Sequence, residues 1–389
     1  MKRIHSILIL VLCAGCLYPY TPPVNLRSLT AIVVDGYLST DGTAQVKLTR
    51  SIPLTDGGWA PNEKHANVTI ESSAGDIYSL TEGDSALYTA AGIPVSFDAQ
   101  YTLHIRTADG SEYTSDQVQA YPTPPIDNIF YTLGAGRETF EVRIDATDPN
   151  PDATGYYLWD CIETYEYHAP VFAGYKIVNG QPIERDPSEV VYTCWRDVTN
   201  PSVVLDANYL EENDIQAQRV VIVGNNSPKL AIKYSVLVKQ RAISEAEYAF
   251  RTQLQKSNEQ QGNLFSVVPG AVVGNVHSAD PEEYVLGYFR AQDVTERRLF
   301  IERWDLPDGF FIQPPSPSCQ TEKTCDIGPG PGRVQQFGCF TVDMLGPSAL
   351  VTSANTNGAG VVESYNFVIA ACGDCRYYGG TTTRPSFWE

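Results

Sequence analysis

The sequence predicts a mainly β protein in two domains, and three observations predict it. Tyrosine is abundant at 23 residues, with many Thr and Val beside it, while long helix-forming runs are scarce; such a balance suits pleated, half-buried surfaces. Short stretches in which apolar and polar residues alternate are cut by Gly, Asp and Asn turns. The body of the chain also carries seven cysteines, Cys161, Cys194, Cys319, Cys325, Cys339, Cys372 and Cys375, most of them near its end.

Residues 1–15 read as a signal peptide. Lys2 and Arg3 precede an apolar run from Ile7 to Cys13, and small residues follow; the run is too short to span a bilayer as a permanent helix. It leads directly into Cys16. The string Leu12-Cys13-Ala14-Gly15-Cys16 resembles a bacterial lipobox, departing from it at Cys13, where leucine is usual. Cys16 is therefore the expected lipidation site, and several acyl chains on one residue anchor stably at about 0.8 kcal/mol per buried methylene. Residues 16–28 form the lipidated cysteine and an extended tether, stiffened by Pro19, Pro22 and Pro23. No later segment has eighteen consecutive apolar residues, so the tether is the expected route to a membrane.

Residues 29–122 form the first domain. "LTAIVVDGYLS", "AQVKLTRSI", "ANVTIESSAG", "DIYSLTE", "ALYTAAG" and "YTLHIRT…EYTSD" are strand candidates. In "YTLHIRT", Tyr101, Leu103 and Ile105 share one face and Thr102, His104 and Arg106 the other, the period-two pattern of a half-buried strand. "ADGS" closes a hairpin. Some seven strands in about ninety residues predict an immunoglobulin-like or transthyretin-like β-sandwich.

"YPTPPIDN" at 121–128 marks the boundary, and residues 123–389 form a larger β-rich C-terminal domain. Its strand candidates are "FEVRIDAT", "YYLWDCIETYEY", "EVVYTCW", "RVVIVG", "AIKYSVLVKQRA", "YVLGYFRA" and "RRLFIER". In the second of these, Tyr157, Trp159 and Cys161 are expected to face the core, and Tyr156, Leu158 and Asp160 to face outward or toward a second layer. A helix is expected near 244–258. Ser244 and Glu247 make a capping box, and Ala246, Ala249, Phe250 and Leu254 fall on one face. Residues 305–389 are rich in Cys, Pro and Gly, with "QPPSPSC" and "GPGPG"; this segment is expected to be irregular and ordered by disulfides.

Formal net charge is −19, and removing residues 1–15 takes away two basic residues and no acidic one, giving −21. So acidic a chain has no electrostatic reason to bind nucleic acid or anionic lipid heads. For an exported chain the seven cysteines read as disulfides, with one left over because seven is odd. The spacing of Cys372 and Cys375, C-x-x-C, fits a redox dithiol, half a zinc site or a disulfide staple. The Gly379-Gly380 pair and the threonines after it oppose the helix a redox dithiol needs, and a zinc ribbon needs a second C-x-x-C. The staple is expected, tying the tail, with Trp388 as an apolar plug, onto the Cys319–Cys339 segment.

Catalytic motifs are missing: no G-x-S-x-G, H-E-x-x-H, P-loop or dinucleotide fingerprint occurs. "GPGPG" at 328–332 is a loop, because its prolines lack the amides of a phosphate cradle. His65, His104, His168 and His277 lie at no ligand spacing, with His104 on an outward strand face and His277 in a loop. Asp145, Asp148, Asn150 and Asp152 are a weak calcium candidate that lacks the glycine and closing glutamate of an EF-hand; an acidic turn is the expected reading. Asp280, Glu282 and Glu283 cluster without a visible partner for glycoside chemistry. No cofactor, no metal and no enzymatic activity are expected.

Several stretches carry a resemblance: "VVDGYLS" at 33–39, "KLTRSIPL" at 47–54, "KYSVLVKQRAISEAEYAF" at 233–250, the run at 262–303 that contains "GNVHSADPEEY", and "CGDCRYYGGTTTRPSFW" at 372–388. Their order and wording resemble the Bacteroidota surface lipoproteins grouped as domain of unknown function 4249. The resemblance implies an outer-membrane, lipid-anchored protein at the cell surface. It further implies a non-catalytic binding or accessory subunit whose partner is an outer-membrane β-barrel of the TonB-dependent transporter type. The alternative expectation is a substrate-binding lipoprotein that captures a glycan, peptide or metal chelate for uptake.

Overall fold

The structure is a computed structural model that describes residues 30–52, 58–150, 152–178, 181–208, 210, 214–260, 272, 274–311, 319, 323–326, 349–359 and 362–388. The signal peptide, Cys16, the tether, Cys339 and "GPGPG" lie outside the described residues, as does the side chain of Cys325.

Strands dominate, as the composition predicts. The chain first forms β1 (Ile32–Ser39), β2 (Ala44–Arg50), β3 (Asn67–Ser72), β4 (Ile77–Ser79), β5 (Thr81–Glu82), β6 (Leu87–Ala90), β7 (Gln100–Arg106), β8 (Glu112–Ser115) and β9 (Val118–Gln119). After the proline-rich break come β10 (Asn128–Leu133), β11 (Thr139–Thr147), β12 (Tyr156–His168), β13 (Tyr175–Val178), β14 (Gln181–Glu184), β15 (Thr193–Thr199), β16 (Val203–Asp206), β17 (Asp214–Gly224) and β18 (Lys233–Ala242). Helix α1 (Glu245–Gln260) follows, then β19 (Val276–Ser278), β20 (Val285–Gln292) and β21 (Thr295–Glu302). Last come β22 (Lys323–Asp326), β23 (Ala349–Thr356), β24 (Val362–Ile369) and the single turn α2 (Ala370–Gly373). Among the described residues no helix is long and apolar enough to cross a membrane.

Two compact units result. The first comprises the described residues of Met1–Gln119 and Pro269–Ala291, the second those of Ala120–Val268 and Gln292–Glu389. In the first unit one sheet runs β20-β1-β2-β6-β5 and the other β19-β8-β7-β3-β4, with β9 beside β7. Each buries one face. Val34, Leu38, Val46 and Leu48 are inside from one sheet, and Val68, Ile70, Tyr101, Leu103 and Ile105 from the other. In β7 burial alternates residue by residue, as its sequence predicts, and the turn at Thr107–Ser111 uses Gly110 at φ +92°.

One finding departs from the sequence reading. That reading kept 123–389 together and left 276–278 in a loop, whereas β19 and β20 return to the first unit and become edge strands of its two sheets. The proline-rich break marks only the first crossing. Long-range pairing decides the other two, and periodicity carries no information about a strand's partner. Gly287 makes the docking of β20 sterically tight: its φ is +106°, and a Cβ there would lie 1.8 Å from the carbonyl oxygen of Val34.

In the second unit a three-stranded sheet, β10-β11-β17, packs on β15-β12-β18-β21, with β16 extending the pairing along β12. Phe140, Val142 and Ile144 meet Tyr157, Trp159, Tyr234, Val236 and Val238 in one core. Tyr157, Trp159 and Cys161 face inward, as expected. Trp159 keeps its indole N–H satisfied by donating to Gln240 Oε1 at 2.7 Å. Leu158, on the other face of β12, is also fully buried, and Tyr156 meets Tyr248 of α1 at 5.0 Å between ring centroids. That is the second layer.

Helix α1 starts where predicted, with Ser244 Oγ accepting from the Glu247 amide at 3.1 Å. Its buried face differs from the expected one. Ala246, Ala249 and Leu254 are exposed, whereas Glu247 and Phe250 are buried. Glu247 lies inward because Arg241 of β18, itself buried, reaches its carboxylate at 3.4 Å and Arg251 at 3.3 Å. Residues 305–389 also depart from an irregular segment, since β22, β23 and β24 join the β13–β14 hairpin in a five-stranded sheet. Tyr365, Phe367 and Val368 give β24 its buried positions.

Replacing Gly287 with alanine is expected to destabilise the first unit by about 1–3 kcal/mol, read as a lower urea midpoint. Gly75→Ala is the control, because Gly75 also has positive φ (+91°) but has nothing within 4 Å of a built Cβ. An equal loss in both variants would show that backbone strain, not the approach of Val34, sets the cost.

Candidate functional site

The cysteines resolve first. Cys319 pairs with Cys372 and Cys194 with Cys375, at Cα–Cα distances of 5.5 and 5.7 Å. The C-x-x-C is thus split between two bridges, and neither sulfur meets the other. Cys372 ties to Cys319, as the staple reading expects, while Cys375 reaches β15, 181 residues back. Cross-links closing loops of 53 and 181 residues each remove on the order of 4–5 kcal/mol of denatured-chain entropy in the loop-closure account. Cys161, one of the disulfide candidates, is free and buried. Burial pushes its thiol up to about 12, with Asp160 and Glu163 adding to the shift, so it is inert toward electrophiles.

Beyond the bridges, the described residues of the tail dock on the β12 sheet; most of the Cys319–Cys339 segment lies outside the described residues. Thr381 and Trp195 exchange two backbone hydrogen bonds of 2.9 Å, and Tyr167 donates to the Cys375 carbonyl at 2.8 Å. Trp388 is buried, donates from Nε1 to Glu166 at 3.1 Å and packs edge-on against Phe300. The Arg298 guanidinium lies over Phe387, 3.6 Å from its centroid. Trp388 is a plug, as expected, but its socket is β12, β18 and β21. Glu166 and Lys233 pair across β12 and β18, Lys233 pairs with Glu302 of β21, and Phe300 lies two residues along β21, so the socket offers a carboxylate for the indole N–H beside an aromatic wall.

Asp145, Asp148 and Asn150 of the calcium candidate are engaged by the turn and by the strands beside it. Asp145 accepts from the Ala217 amide at 2.7 Å, and Asp148 accepts from the Asn150 amide at 3.1 Å and the Tyr157 hydroxyl at 2.7 Å. Asn150 accepts from the Asp152 amide at 3.1 Å. Among the described residues no three His, Cys, Asp or Glu side chains converge as a metal cage.

Histidine chemistry gathers on one face of the first unit. Thr69, His104, Thr114 and His277 stand in one row across β3, β7, β8 and β19. His104 Nε2 lies 3.0 Å from Glu71, and its Nδ1 lies 3.5 Å from the Thr114 hydroxyl; His277 Nε2 lies 2.9 Å from Asp116. A hydroxyl, an imidazole and a carboxylate in that order suggest nucleophilic catalysis. Here, however, β7 and β8 are interior strands, so their amides lie in the sheet ladder and offer no oxyanion hole above the face. Two concavities of about 230 and 310 Å³ flank His104, lined by Arg106, Glu112 and Thr114 on one side and by Glu71, Ser73 and Thr102 on the other. His65 and His168 lie elsewhere. His65 is 3.5 Å from Glu82, and His168 stacks on Tyr192 at 4.4 Å with its pKa lowered by burial.

Of the carboxylates in "DPEEY", Glu283 is structural. It accepts from Tyr113 at 2.8 Å and Ser278 at 2.8 Å, and lies 3.4 Å from Arg50. Asp280 accepts from the Glu282 amide at 3.0 Å. Burial and the bond to Glu283 push the Tyr113 phenol up to about 12.

The sequence reading gave no role to several exposed aromatics: Trp59 (96% exposed), Trp304 (77%), Tyr377 (67%) and Tyr284 (63%). The signal for Trp59 was present in its Gly-Gly-Trp-Ala-Pro setting, a loop tip by composition.

A family model described as "Domain of unknown function (DUF4249)" matches residues 18–298. No curated protein matches the chain.

Peptide mapping without reductant should recover Cys319–Cys372 and Cys194–Cys375, with Cys161 alkylated only after denaturation. A Cys372–Cys375 peptide would refute the split pairing. The raised Tyr113 pKa favours the neutral phenol in the fold, so its contribution is complete below about pH 10 and is lost as pH rises through about 12. The wild-type urea midpoint should therefore fall more steeply over that window than that of Tyr113→Phe; parallel curves would contradict the assignment.

Proposed function

The chain belongs to the DUF4249 family, a family of unknown function, and we propose that it is an exported lipoprotein, anchored through Cys16 in an outer membrane and working as a non-catalytic binding subunit. Its partner in this reading is an outer-membrane β-barrel of the TonB-dependent transporter type. One combination carries the proposal: an N-terminal run, basic then apolar then small, that leads directly into Cys16, and a body closed by two disulfides. Disulfides persist in oxidising compartments, and a lipid on Cys16 keeps the exported body at a membrane. The exposed aromatics on a β framework supply the side-chain types enriched in binding patches.

Non-catalytic work is supported by how the candidate groups are engaged. Glu283 braces Tyr113 and Arg50, Asp148 holds Tyr157, and the His104 row lies on an open sheet face. A second reading, capture of a glycan, peptide or metal chelate, draws on the two concavities beside His104, which are near the lower end of ligand-pocket volumes.

Purifying the protein from its native outer membrane in mild detergent should bring down a barrel protein in stoichiometric amount, and Cys16→Ser should move the chain to the soluble fraction. Elution alone would sink the barrel reading. The capture reading is checked by thermal shift against ligand panels, where a ligand at one hundred times its Kd stabilises by about 2.7 kcal/mol.

A further inference from the structure

Trp59 is the most exposed large apolar side chain among the described residues, and its place in the first unit gives that exposure a direction. Described residues on both sides of it are bonded at the end of the sheet where the chain enters. The Ser51 amide donates to the Ala31 carbonyl at 2.8 Å, and the Ala31 amide donates to Ser51 Oγ at 2.9 Å. On the far side of the loop the Arg50 amide donates to the Pro61 carbonyl at 2.8 Å, Thr49 bridges Asn62, and Lys47 donates to the Asn62 side chain at 2.9 Å. Trp59 therefore stands two residues from Pro61, whose carbonyl holds the Arg50 amide, and the Arg50 guanidinium donates to the carbonyl of Thr30, the first described residue, at 3.5 Å. Thr30 follows Cys16 by fourteen residues, a span of at most about 50 Å even fully extended.

The chemistry of this tip is unusual for so acidic a chain. Residues 58–62, Gly-Trp-Ala-Pro-Asn, are all exposed and carry no charge. The nearest carboxylate C-terminal to them, Glu63, is held by Arg50 at 2.6 Å. The indole itself can enter a lipid headgroup region without desolvating an ion; the nearest carboxylate on its N-terminal side is Asp56, three residues away in sequence. Trp is also the side chain with an apolar body and a single N–H that suits that region.

We propose that Trp59 and residues 58–62 form a lipid-contacting tip that seats the tethered end of the first unit in the headgroup region of the bilayer. This rests on the anchored reading of Cys16. The acyl chains supply affinity, and Trp59 fixes which end of the sandwich faces the lipid. The favoured surface is zwitterionic, because the tip works through its ring and not through charge.

The test uses the full-length lipidated protein in phosphatidylcholine vesicles, with and without brominated acyl chains that quench nearby indoles. Wild type, Trp59→Ala and Trp304→Ala are compared; both replaced rings are exposed, so matching thermal midpoints are expected. Brominated lipid should quench wild type and Trp304→Ala alike, and Trp59→Ala should lose most of that quenching while still floating with the vesicles. Unchanged quenching in Trp59→Ala, or its loss in Trp304→Ala, overturns the proposal with the anchor intact. A Trp59→Ala variant that keeps its quenching but no longer co-purifies a membrane protein assigns the tip to a protein partner and equally overturns it. Wild type that fails to float and lacks acyl mass removes the anchored reading itself, and the tip falls with it.

Discussion

The register of β12 is the constraint on which the second unit depends. Thirteen residues long, it is bonded along one edge to β18 and along the other to β15 and β16. Its inward positions bring Tyr157 and Trp159 to the core, and its outward ones place Leu158 beneath the α1 layer and Glu166 beneath Trp388. A shift by one residue would exchange the two faces at every position. It would also break the alignment that sets Cys194 opposite Tyr167, whose hydroxyl holds the Cys375 carbonyl. The disulfide to Cys375, the docked tail and the helix layer are all consequences of that one alignment.

Among the described residues of this unit, charge is buried only where it is shared. Glu163, fully buried, accepts from Lys229 at 2.7 Å, Asn200 at 2.7 Å and Tyr234 at 2.8 Å. Arg241 lies between Asp160 and Glu247. Such groups contribute little net stability when complete, yet removing one partner strands a charge in the interior at a cost of about 3–5 kcal/mol. They act mainly on specificity, because only one docking of α1 on β18 brings Glu247 to Arg241.

The same residues mark where the sequence could be read and where it could not. Alternation in β7, the inward face of β12 and the cap at Ser244 are local features, legible from spacing alone. The buried face of α1 was not, because Glu247 lies inside on account of an arginine on a neighbouring strand, and a hydrophobic pattern gives a glutamate no such role. The strands of residues 349–369 were hidden by the Pro- and Gly-rich sequence before them. At the candidate site, a tie of the C-x-x-C to the Cys319–Cys339 segment was legible from the spacing of the cysteines, but the choice of Cys319 within it was not. The link of Cys375 to Cys194 depends on β15 passing beneath the tail. The row of Thr69, His104, Thr114 and His277 joins strands up to 208 residues apart in sequence, so no motif could announce it.

The return of β19 and β20 to the first unit also sets an order of events for a chain that emerges N-terminus first. When residue 119 has appeared, β1 and β8 each have one partner and one bare edge, and the strands that will cover those edges lie more than 150 residues further on. Until then the first unit is a sandwich with open flanks, able to pair with any extended segment that meets it. Completion of the N-terminal unit is therefore a late event in the emergence of the chain, and the interval before it is when the protein is most exposed to mispairing.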